Sequence, residues 1–128
     1  MRISLKVDIC SRRGAEQGVS NLLELFEQYG VKASFFFSSC LVSGNPGILH
    51  ALSRAKEVFG RSHCGDEATP SDRFSEAVQK VAKAGHDVGL KAHDPLVWIK
   101  RAAVADEDWT RHQLALSVDF MRQVLGDT

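Results

Sequence analysis

Ile3-Ser4-Leu5-Lys6-Val7-Asp8-Ile9-Cys10 alternates strictly between apolar and polar residues, and a helical pattern punctuated by Gly14 and Gly18 follows it. Alternation with a period of two is the signature of a strand, so Ile3, Leu5, Val7 and Ile9 share one face and Ser4, Lys6, Asp8 and Cys10 the other. The polar face is the unusual one, because it carries a carboxylate toward the carboxyl end of the strand. In parallel α/β folds that end is where ligands and catalysis collect. Two later stretches, Val31-Lys32-Ala33-Ser34-Phe35-Phe36-Phe37-Ser38 and His86-Asp87-Val88-Gly89-Leu90-Lys91-Ala92-His93-Asp94, read as sister strands, the second again tipped with polar groups.

Helical periodicity fills the gaps between these strands. Val19, Leu22, Leu23, Phe26 and Tyr29 form one stripe of a helix over about 16–29 that stops at Gly30. A second helix is expected from Asn45 as N-cap and Pro46 in the first turn to Gly60, burying Ile48, Leu49, Leu52 and Val58. Thr69, Pro70 and Asp72 start a third, which runs through Phe74, Val78, Val81 and Ala82 to Gly85. The fourth begins near Asp106 or Asp108 and carries Trp109, Leu116, Phe120 and Val124 to Gly126. The span 61–68, with His63 and Cys64, reads as a surface loop. The alternation of strand and helix defines an α/β protein with parallel strands and flanking helices, and residues 1–128 are expected to form one domain.

Composition narrows the classes of partner. Sixteen basic residues balance sixteen acidic ones, so no general basic field steers the chain to nucleic acid. No window approaches 18 apolar residues, and Lys6 and Asp8 interrupt the N-terminus too early for a signal peptide, which leaves no transmembrane segment and a cytoplasmic location by default. Cys10, Cys40 and Cys64 are odd in number and lack Cys-x-x-Cys spacing, so reduced thiols are expected.

The stretch LKVDICSRRGAEQGVSNLLELFEQYGVKASFFFS, with HDVGLKAHDPLVW and DEDWTRHQLALSVDFMRQVLGD, resembles the N-terminal part of the polysaccharide deacetylase (NodB-homology) family. Within that family it is most similar to deformylases of lipid-linked formamido-arabinose. The resemblance implies a partial (β/α) barrel of the NodB-homology type, with further strands after Asp127 in full-length members. It also implies removal of N-acyl groups from sugars with one divalent metal. The family's first strand ends in two carboxylates, a general base and a metal ligand, and a later His-x-x-x-His supplies the other ligands. The metal polarises the amide carbonyl and acidifies a water while the base takes its proton.

Asp8 matches the position of the base, whereas Cys10, Lys91 and Pro95 stand at the three ligand positions. Proline has no side-chain donor and an ammonium repels a dication, so two of three ligands are chemically unsuited and no cofactor is expected. Zinc held by Cys10, His93 and Asp94 is the alternative. His93, Asp94 and Trp98 are the candidate substrate-binding residues, for an N-acylated sugar, although Trp98 could equally anchor its loop against the last helix. Lys91 shares a strand face with Gly89 and His93, and its ammonium is expected within salt-bridge distance of Asp8, replacing the metal and ending proton abstraction. The plainer reading of Asp8 is a cap for the following helix. Phe35, Phe36 and Phe37 read as core.

Three functions follow. The first is a catalytically impaired or inactive relative of the carbohydrate N-deacylases that self-associates to cover its open strand edges. The second is an active metal-dependent deacetylase or deformylase. The third is a small non-catalytic α/β module for ligand binding or oligomerisation; within it a flavodoxin-like phosphate binder lacks support, because no strand leads into a glycine-rich phosphate loop.

Overall fold

Hydrophobic alternation and helical periodicity resolve, in the computed structural model, into a parallel sheet, three-stranded among the described residues, with helices packed on it. The structure describes residues 4–42 and 72–126. The expected helix over 45–60, the loop over 61–68 and the start at Thr69 and Pro70 lie outside the described residues. Strand β1 spans Lys6–Ser11, β2 Ser34–Val42 and β3 Asp87–Leu90, in the spatial order β1-β2-β3. The register sets Asp8 beside Phe36 and Phe36 beside Gly89. A parallel pair needs a crossover element, and helix α1 (Val19–Tyr29) supplies it between β1 and β2. Helix α2 (Asp72–Lys83) leads into β3, and α3 (Pro95–Arg101) and α4 (Glu107–Leu125) follow. A barrel is not among what the described strands show.

One sheet face carries the core. Phe35 and Phe37 are fully buried there with Ile9, against Val19 and Phe26 of α1, Phe74, Val78 and Val81 of α2, and Phe120, Met121 and Val124 of α4. The aromatic rings meet edge to face, Phe37 on Phe74 at 5.5 Å and Phe74 on Phe120 at 4.9 Å between centroids. This geometry favours ring edges over ring faces and adds about 0.5–1.5 kcal/mol per pair beyond area burial. Phe36 points the other way and is only half-buried, because alternation sends it to the polar face with Lys6 and Asp8.

Several sequence expectations shift in detail. The first helical segment begins at Arg12, earlier than its apolar stripe, and passes through a π-helical turn at Gly14–Gly18. Tyr29 is 69% exposed, since ten residues beyond Val19 it has rotated about 80° away from the buried stripe. Gly30 does end α1 in the left-handed conformation, at φ 63°, its N–H bonded to the Glu27 carbonyl. In α2 Ala77 is buried and Ala82 exposed. In α4 Asp106 caps the helix through Oδ1 to the Trp109 N–H at 2.8 Å, and Leu116 is half-buried while Gln113, Ser117 and Met121 lie inward. The expectation of reduced thiols holds at Cys10, which is free, and fails at Cys40, which is disulfide-bonded. Disulfides belong to oxidising compartments as a rule, which runs against the expected cytoplasmic location. Among the described residues no helix is long and apolar enough to cross a membrane.

Candidate functional site at the strand ends

The sheet face opposite Phe35 and Phe37 collects charge. Lys6 and Asp8 are two residues apart on β1 and therefore project to the same side, and Lys91 enters from the chain just beyond β3, where its N–H still bonds to the Phe37 carbonyl at 2.9 Å. Asp8 Oδ1 lies 3.3 Å from Lys6 Nζ and 3.7 Å from Lys91 Nζ. The Lys91 side chain is the more enclosed of the two cations, 27% exposed against 61% for Lys6. Asp8 thus faces two ammonium groups, and the cap of the following helix is made by Ser11 instead, whose Oγ accepts the Gly14 N–H at 3.1 Å.

The remaining candidates gather at the junction of β3 and α3. His93 is 4% exposed, its Nδ1 lies 2.5 Å from Ser39 Oγ, and its carbonyl accepts the Cys40 N–H at 2.9 Å. Asp94 is 5% exposed and begins α3, its Oδ1 accepting the Val97 N–H at 3.1 Å. Pro95 follows in the first helical position, where its missing N–H costs nothing. Trp98 stacks on Trp109 with centroids 5.7 Å apart, and the Arg101 guanidinium sits 5.2 Å from the Trp109 ring. The contact described for Trp98 is therefore the one that ties α3 to α4. Two sets emerge: Asp8 with Lys6 and Lys91, and His93, Asp94 and Trp98 at the helix entry.

Three residues with a part in these sets escaped the sequence reading. Lys6 was legible, since it shares the parity of Asp8. Ser11 was legible too, as a hydroxyl three residues before Gly14. Ser39 had no local signal, because its partner is 54 residues away.

Two of the three positions at which the resemblance implies metal ligands hold side chains unsuited to a divalent ion. Cys10 offers a thiol, Lys91 places a positive charge on Asp8, and Pro95 offers no atom, while Asp94 has one oxygen committed to its helix. Among the described residues no three His, Cys, Asp or Glu side chains converge in a way that could hold a metal.

Fold and site define a parallel α/β protein with a charged carboxylate centre on the sheet face opposite its core. No family model matches the chain. It is 25% identical over 112 residues to the probable 4-deoxy-4-formamido-L-arabinose-phosphoundecaprenol deformylase ArnD of Shewanella sediminis (strain HAW-EB3), a match covering 76% of the chain and 37% of that protein. The match supports a distant relationship of the polysaccharide-deacetylase kind, and the chain spans little more than a third of the relative's length.

Proposed function

We propose that this chain is a divergent relative of the carbohydrate N-deacylases, built as a partial (β/α) barrel, in which the Lys91 ammonium takes the place of the divalent ion beside Asp8. The observation that carries the reading is the 3.7 Å separation of Lys91 Nζ from Asp8 Oδ1. An ammonium balances the carboxylate but has no vacant orbital, so it neither polarises an amide carbonyl as a Lewis acid nor generates a hydroxide from bound water. Asp8 is left as a base with no activated water to deprotonate. In this reading a small polar ligand such as an N-acylated sugar binds on the polar face, and the strand edges left unpaired among the described residues lead to self-association.

The test is formate or acetate release from N-formylated and N-acetylated amino sugars, with the purified protein supplied in turn with Zn, Co and Ni. No metal-stimulated release is expected. Stoichiometric metal uptake together with release abolished by Asp8→Asn would establish an active metal-dependent deformylase in its place.

A further inference from the structure

Ser39 and His93 form a pair that neither the charged centre at Asp8 nor the packing of the core uses. The serine hydroxyl and the imidazole Nδ1 are 2.5 Å apart, short even for a hydrogen bond between a hydroxyl and a nitrogen. Both partners are fixed. Ser39 belongs to β2 and His93 lies just past β3, and the bond from the Cys40 N–H to the His93 carbonyl, 2.9 Å, locks the two segments side by side at that level. The imidazole is 4% exposed, and Ser39 is partly buried. All of this sits at the carboxyl end of parallel strands, the position from which α/β folds present reactive groups.

We propose that Ser39 and His93 are a nucleophile and its general base, giving the chain a metal-free acyl-transfer activity toward small activated esters. Nδ1 takes the proton of Ser39 Oγ as the oxygen forms a bond to the ester carbonyl carbon. The tetrahedral adduct collapses by breaking the bond to the alkoxy group, which leaves as the alcohol with the proton from the imidazolium. Water then attacks the acyl-serine, Nδ1 again taking and returning the proton, and the carboxylic acid is released with Ser39 restored. No oxidant, reductant or metal enters the balance.

The pair differs from a merely structural hydrogen bond in one respect that can be read directly: its serine reacts covalently. Incubation of the full chain with a fluorophosphonate, followed by mass analysis of the intact protein and of its peptides, should give one adduct per chain, on Ser39. Ser39→Ala should abolish the adduct, and His93→Gln should slow it by at least about 100-fold, the size of a general-base contribution. Because a buried histidine can be needed for folding, Ser39→Cys is treated in parallel with iodoacetamide. Alkylation of the introduced thiol in preference to Cys10 shows that the position is reachable. Absence of a fluorophosphonate adduct on the unmodified protein when the introduced thiol alkylates overturns the proposal, as does labelling that persists in Ser39→Ala. Failure of both reagents at position 39 means that the hydroxyl is inaccessible and overturns it equally. None of these outcomes touches the metal assay at Asp8, so the two readings stand or fall separately.

Discussion

At the scale of single residues, His86 shows how much one buried ring can tie to pH. It is 9% exposed, its Nδ1 accepts the Ala33 N–H at 3.2 Å, and its ring lies against Phe26 and Phe35 at 5.8 and 5.4 Å. Burial, and then the nearby Lys32 ammonium, push its pKa below the ordinary 6.5, with Asp87 opposing them. Protonation would also set an N–H against the Ala33 N–H. A histidine with a depressed folded pKa stabilises the fold fully above the unfolded value, and this contribution is lost as pH falls from 6.5 through the folded pKa, since the unfolded chain takes up the proton first. The urea midpoint should therefore fall between pH 7 and pH 5, and His86→Asn, which keeps an acceptor for Ala33 but cannot titrate there, should flatten that slope while lowering stability throughout. Equal slopes in the two proteins would contradict the assignment. At this scale the Asp8–Lys91 contact was legible, because alternation on the strand and the family resemblance both converge on it. The Ser39–His93 contact was not, since sequence patterns report neighbours along an element and this pair joins two of them.

Elements were legible in proportion to how far packing follows pattern. The three strands show in the sequence because one face is buried and alternation records it; β2 shows best, with Phe35 and Phe37 fully enclosed. Helix α3 was missed because Asp94 was weighed as a metal donor and Pro95 as a lost ligand position, although an aspartate followed by proline is the ordinary opening of a helix. The π-helical turn at Gly14–Gly18 leaves no mark beyond the glycine spacing, and no periodicity rule distinguishes it from an α-turn. Gly89 on β3 illustrates what a glycine inside a strand reports. A Cβ built there would stand 2.5 Å from Cε1 and 2.6 Å from Cδ1 of Phe36, so the ring occupies the space that any larger residue needs. Gly89→Ala is expected to cost about 1–3 kcal/mol in chemical denaturation, the usual range for overpacking. In a Phe36→Leu background the cost should shrink, and a double-mutant cycle measures the coupling. Strict additivity of the two substitutions would remove the steric explanation.

On the scale of the whole molecule, the sheet is the part left incompletely covered by the described residues. β1 and β3 each pair with β2 alone among those residues, which leaves an outward row of backbone N–H and C=O groups on both edges. The described helices that build the core all meet the face bearing Phe35 and Phe37, while the opposite face holds Lys6, Asp8, Phe36 and Lys91. Its ion pairs contribute little to stability, since Asp8 is 42% exposed and half-exposed pairs are worth at most about 1 kcal/mol. Parallel sheets are usually covered on both faces, and unpaired edges template further pairing. The partial-barrel reading therefore carries a consequence in solution: sedimentation of the purified chain at micromolar concentration should give at least twice the monomer mass. Dilution should dissociate the assembly, and hydrogen exchange should then quicken at the outward amides of β1 or β3 in particular, because those amides are the groups that a neighbouring strand would satisfy. Exchange that quickens uniformly, or a mass equal to one chain at every concentration, would mean that the edges are covered within the monomer, and the partial barrel would give way to a self-contained α/β sandwich.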